Sequence, residues 1–215
     1  MKDIPVFTTE NGVASLVLRE VPYKEVAFIT LQDSLQPEKL LKECANFCRA
    51  VGAKQIFATG YSALGQYNES VIIYQMKRDV AGLNKTSADL IPVTEKTLDR
   101  FRDFYNKKMA GILTAATMTQ DDARQLLLKS AGYFIYQEDV FLGIGIVEGN
   151  TVKAIAGAYP GAGTDVLLAL CTAITSETVL LEVASNNKPA LRLYEKTGFC
   201  ISAELLCWYD VKNIC

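Results

Sequence analysis

Glu182 and Tyr194 are two side chains of this 215-residue sequence whose types could do proton chemistry. Glu182 is a lone acid in the apolar run Val179-Leu-Leu-Glu-Val183. A run of this kind suits a strand covered on both faces. Burial there would raise the carboxyl pKa toward neutrality, the range a general base needs. An edge or strand-end position, with Glu182 in water or paired with a lysine, explains the residue equally well. Tyr194 follows twelve residues later, inside Ser185-Asn-Asn-Lys-Pro-Ala-Leu-Arg-Leu-Tyr-Glu-Lys-Thr-Gly-Phe199. Its ring can close a helix end against Phe199, a reading that leaves the hydroxyl without a role. A third feature is Tyr159-Pro-Gly-Ala-Gly-Thr-Asp165, a glycine-containing turn between a predicted strand and helix. Free backbone N–H groups and the helix dipole make such a turn a phosphate cradle, and a plain connector has the same appearance.

The elements that must hold these groups can be read from periodicity and breakers. In the first part of the chain, strands are expected over residues 13–19 and 25–31, joined as a hairpin at Pro22-Tyr23. A helix over 37–50 ends at Gly52. Strands follow over 55–59 and 70–76, with a polar loop at 61–69. The apolar periodicity lapses at 81–87, which divides the chain into an N-terminal α/β half, 1–83, and a larger domain, 84–215. The second part reads as a strand over 89–93, helices over 94–109 and 120–130, and strands over 132–137, 140–148 and 152–158. A helix over 164–174, a strand over 178–184, the Tyr194 helix and a last strand over 200–210 complete it. That order predicts an α/β (α+β) fold, a mixed, mostly antiparallel sheet flanked by helices, with a parallel β-α-β crossover across residues 152–184. The first half looks like a partial copy of the same pattern.

Composition narrows the function. Half the residues are hydrophobic and the net charge is −2, without a long basic block. Nucleic acid is therefore not expected as a main partner, since phosphate neutralisation needs clustered Lys and Arg. No apolar run is long enough for a bilayer, and the start lacks a secretory pattern, so a cytoplasmic protein is expected. The chain has six cysteines and no histidine. Cys44 and Cys48 share a helix face, and Cys171, Cys200, Cys207 and Cys215 form no C-x-x-C pair. Reduced, mostly buried thiols and no metal site are expected.

Taken together, the segment Leu181-Glu-Val-Ala-Ser-Asn-Asn-Lys-Pro-Ala-Leu-Arg-Leu-Tyr-Glu-Lys-Thr-Gly-Phe199 resembles the acyl-CoA-binding core of the GNAT superfamily of N-acetyltransferases. It is close to that family's L-E-V-x-x-x-N-x-x-A-x-x-L-Y-E-K-x-G-F, and the element order from residue 84 agrees. The resemblance implies transfer of an acetyl group from acetyl-CoA to a primary amine by direct attack, with acetyl-CoA as cosubstrate. It implies Glu182 as base and Tyr194 as general acid toward the CoA thiolate. Cofactor contacts are implied at Ala158, Gly161, Ala162, Gly163, Thr164, Asn187 and Ala190. The family's Q/R-x-x-G-x-G/A loop corresponds here to Ala158-Tyr-Pro-Gly-Ala-Gly163, which lacks the Arg or Gln and is shorter. A GNAT-fold module that binds acyl-CoA or a protein partner without turnover is the alternative. The amine acceptor is expected near residues 101–119. Three roles stand open for the first half: completing the acceptor groove, mediating homodimerisation, or stabilising the sheet.

Overall fold

The computed structural model describes residues 2–61, 64–65, 67, 69–82, 86–211 and 214, with only the backbone at Glu69. The loop expected at 61–69 and the boundary expected at 81–87 fall partly outside this set, as does Cys215. The described chain forms two compact units, Met1–Ile72 with Leu205–Cys215, and Ile73–Glu204.

The first unit begins with β1 (Ile4–Thr9), paired antiparallel with β2 (Gly12–Val17). β1 lies outside the strands expected from the sequence. Pro5 argues against a strand, and it is tolerated here because β1 is an edge strand. β2 pairs antiparallel with β3 (Val26–Asp33), as a hairpin requires. The connection, however, is a single helical turn, α1 (Val21–Lys24), with Pro22 in its first turn and Glu25 at φ 57 ending it. Then α2 (Pro37–Ala50) buries Leu40, Leu41, Cys44, Ala45 and Cys48 along one stripe, and Gly52 turns the chain away at φ 102. Burial pushes the thiols up, Cys44 to about 12 and Cys48 to about 11. β4 (Gln55–Thr59) runs parallel to β3 over five residue pairs, Val26–Gln55 to Thr30–Thr59. On its other side β4 pairs antiparallel with the end of β11 (Cys200–Asp210).

The second unit has the strand order β6-β7-β8-β9-β10-β5. These are β5 (Glu69–Asp79), of which residues 73–79 belong here, β6 (Asp89–Pro92), β7 (Gly132–Gln137), β8 (Val140–Glu148), β9 (Thr151–Gly157) and β10 (Thr178–Ala184). Helices α3 (Leu98–Met109), entered through a 3-10 turn capped by Thr94 and Thr97, and α4 (Gln120–Leu128) cover one face with Phe101, Ala123 and Leu126, and Met118 just before α4 joins them. The opposite face carries α5 (Gly163–Thr172) and α6 (Lys188–Lys196), packed on Val152, Val179, Leu181 and Val183. Close seating of α5 needs Gly145 in β8, where a Cβ would come within 2.1 Å of Leu170 Cδ1. The sheet is mixed and mostly antiparallel, and among the described residues its parallel pairs are β3–β4 and β9–β10, each bridged by a helix.

β5, from the first part of the sequence, is the neighbour of β10, while the end of β11, the last strand, is the neighbour of β4. No described helix is long and apolar enough to cross a membrane.

Candidate active site

The expected phosphate cradle lies between β9 and α5. Gly161 takes φ 97 and turns the chain into the helix. Ala162 spends its N–H on the Tyr159 carbonyl and its methyl on the core. The amides of Gly163, Thr164 and Asp165 open α5 and so have no carbonyl behind them to bond. Space above Gly161 is open, whereas a Cβ on Gly163 would sit 3.1 Å from Leu193 of α6. Ala158 donates its N–H to Leu142, and its carbonyl accepts from Lys108 Nζ at 3.0 Å. Lys108, in the last turn of α3, also stands 5.3 Å from the centre of the Phe104 ring. This cation beside the loop escaped sequence reading, because only the tertiary fold brings residue 108 to residue 158.

β9 and β10 part company in front of that turn. Their parallel ladder consists of Leu180–Thr151 and Leu181–Val152 and then stops, although β9 continues to Gly157 and β10 to Ala184. The β8–β9 register slips by one residue between Val152 and Ala154, a bulge centred on Lys153. Beyond this vertex the facing edges of the two strands enclose an opening, with the α5 N-terminus at the far end of β9.

Glu182 lies at the vertex, next in register after the last ladder pair. It is exposed, with Oε1 3.8 Å from Lys153 Nζ and the two side chains about half accessible, 51% and 44%. Of the two environments open from sequence, pairing with a lysine in contact with water is the one found. β-strand side chains alternate between faces. Glu182 therefore projects on the face away from Val179, Leu181, Val183 and α6.

Tyr194 belongs to the α5–α6 face. It is 7% exposed, and its ring packs 6.1 Å from Phe199. The helix end is a Schellman motif: Phe199 N–H donates to Tyr194 O and Gly198 N–H to Glu195 O, with Gly198 at φ 86. The Thr197 hydroxyl adds bonds to the carbonyls of Leu193 and Tyr194. Among the described residues no group bonds the Tyr194 hydroxyl, and burial pushes its pKa up to about 12. Glu182 and Tyr194 thus do not touch; they flank the end of β10 from opposite faces. At the start of α6, Asn187 Oδ1 accepts the Ala190 N–H at 3.3 Å, so these two residues are joined to each other by the N-cap.

No protein-family model matches the sequence, and a search of curated proteins finds no match. Solved structures do match it in fold. A GCN5-related N-acetyltransferase from Sphaerobacter thermophilus aligns over 92% of this chain and 76% of its own, with a TM-score of 0.56 at 11% identity. A GNAT-family acetyltransferase from Colwellia psychrerythraea aligns over 95% and 84%, with a TM-score of 0.55 at 15% identity. A tandem GNAT protein from the clavulanic acid biosynthesis pathway aligns over 93% and 78%, at 0.51 and 12%. The chain has the fold of the GNAT N-acetyltransferases.

Proposed function

We propose that the protein is an acyl-CoA-dependent N-acyltransferase that moves an acetyl group onto a primary amine. The observation that carries this reading is the β9–β10 ladder, which stops after two pairs in front of a helix N-terminus with three amides that have no partner among the described residues. An extended thioester arm can lie in that opening and bond strand edges that lack a neighbour. Its phosphates then reach Gly163, Thr164 and Asp165, where the helix dipole favours negative charge. Lys108 supplies the positive charge that the loop itself lacks, and Asp165 opposes it. The fold neighbours named acetyltransferases support the same reading.

The net reaction converts an ammonium and a thioester into an amide, a thiol and one proton. Glu182 takes a proton from the ammonium on the α3–α4 face. The freed nitrogen attacks the thioester carbonyl, the C–N bond forms and the C–S bond breaks. Tyr194 meets the departing sulfur from the α5–α6 face. An ordinary thiol ionises at about 8.5, well below the Tyr194 phenol. Complete transfer from Tyr194 to the thiolate is therefore uphill. Its hydroxyl acts instead as a hydrogen-bond donor that stabilises the sulfur anion; the nitrogen gives up its second proton to water as the amide forms, and the sulfur takes one proton back from water.

Calorimetry with acetyl-CoA, followed by thiol release in the presence of amines, tests the proposal. Micromolar binding with amine-dependent thiol release is the expected result. Absence of binding at high micromolar acetyl-CoA defeats the reading. Binding with no release from any amine supports the module that holds acyl-CoA without turnover, which the cation-poor loop favours.

A further inference from the structure

The vertex of the β9–β10 opening carries a charge pattern of its own on the α3–α4 face. Lys153 and Glu182 stand side by side on adjacent strands. Glu182 is directly opposite Gln75 on β5, and the amide oxygen of Gln75 accepts from the Ser202 hydroxyl of β11 at 3.2 Å. A row of cation, anion, amide and hydroxyl therefore crosses four neighbouring strands. Both members of the ion pair remain about half accessible, so a ligand can reach them without opening the core. Lys153 follows Val152, which faces α5 and α6 and pairs with Leu181, so strand alternation sets its side chain on this face beside Glu182. Glu148, the other acid near the start of β9, already holds Lys129 at 3.0 Å.

A protonated amine coming to Glu182 meets the Lys153 ammonium beside the same carboxylate. For a simple amine or a polyamine this is like-charge repulsion with no return. An acceptor carrying an anionic group next to its amine turns the repulsion into a second ion pair. Its ammonium faces Glu182 while its carboxylate faces Lys153, and each charge of the resting pair keeps a partner. We propose that the acceptor is a small zwitterion of the α-amino-acid class, and that Lys153 selects it by binding its carboxylate. The rest of the acceptor then lies toward Gln75 and Ser202, whose polar groups suit a hydrogen-bonding side chain. A peptide N-terminus, whose nearest carbonyl is an uncharged amide, lacks the group that Lys153 requires.

This proposal rests on the acyltransfer reading, and the experiment separates the two. Thiol release from acetyl-CoA is followed with a panel of α-amino acids and with the matching decarboxylated amines. The enzymes are the native protein, Lys153→Met and Lys153→Arg, each checked for an unchanged melting temperature. A charge-assisted contact is worth about tenfold or more in kcat/KM, so the native protein should prefer each amino acid over its amine by that factor. Lys153→Met should collapse the preference, chiefly through a higher KM for the amino acid, and Lys153→Arg should restore most of it. Equal or better use of the decarboxylated amines by the native protein overturns the proposal while leaving acyl transfer standing. So does a preference that survives Lys153→Met. Failure to bind acetyl-CoA, or binding without release from either panel, defeats the acyltransfer reading and this proposal with it.

Discussion

At the scale of single residues, Tyr194 has two separable parts. The ring closes α6 against Phe199, and the hydroxyl has no partner among the described residues. Tyr194→Phe keeps the ring, so stability should change by less than about 0.5 kcal/mol. If the hydroxyl stabilises the leaving sulfur, turnover should fall by about 10²-fold. Urea unfolding and thiol release measured on one preparation separate the two, and parallel losses would mark the tyrosine as structural. The buried thiols lead to a different expectation. Folding raises the pKa of Cys44 to about 12 and of Cys48 and Cys171 to about 11, each from 9.0. Between those limits the folded state binds more protons than the unfolded one, so stability falls as pH rises. The urea midpoint should hold steady up to about pH 9 and decline from 9 to 11, with Tyr194 adding to the loss above 10. A flat midpoint across that window would contradict the burial of these groups. Residue type and its apolar surroundings singled out Glu182, and the resemblance of the segment to the GNAT motif implied the role of Tyr194. Their surroundings were not legible, because Lys153 is 29 positions from Glu182 and meets it only through the parallel register of β9 and β10.

At the scale of elements, the clearest local grammar is at the end of α6. Gly198 is needed there for its φ of +86; a Cβ would also come within 3.2 Å of the Arg78 guanidinium, the flexible end of a side chain that can shift. Gly198→Ala should cost about 1–2 kcal/mol through the left-handed backbone alone, read as a lowered thermal midpoint. A neutral result would mean that the helix ends some other way. Elements with sharp signals came through from sequence with their bounds intact, among them α2, β7, β8, β10 and β11. Pro37 and Gly52 frame α2, and alternation or unbroken β-rich runs mark the strands. The connection at Pro22 is a helical turn where a hairpin turn is expected, because Pro and Tyr suit either a turn or a first helical turn. The shortened β9–β10 ladder left no trace in the sequence. Both strands look like ordinary buried strands, and whether their edges bond is decided by a bulge and by register, neither of which is a property of one strand.

At the scale of the whole molecule, the two β-α-β crossovers differ in one respect. The β3–β4 ladder is continuous over five pairs, while the β9–β10 ladder opens after two. Of the two crossovers, the second is the one whose ladder opens among the described residues, and the acyltransfer reading therefore takes the second unit as the acyl-CoA site. That unit also depends on β5 as the neighbour of β10. A fragment of residues 84–215 keeps the helix and loop of the site but loses β5. It should fail to unfold cooperatively by circular dichroism, whereas the full chain should show a single sharp transition. A fragment that melts cooperatively and binds acetyl-CoA would show that β5 is dispensable. The same exchange of strands sets the order of events during synthesis. β4 is complete at Thr59, but its second neighbour is not finished until Asp210. At about 5–20 residues per second, that is a wait on the order of 10–30 s. Throughout it, the apolar stretch Ile56-Phe-Ala58 has one edge without its final partner, the kind of edge other chains can pair with. A ribosome that stops before the last strand releases not one incomplete sheet but two.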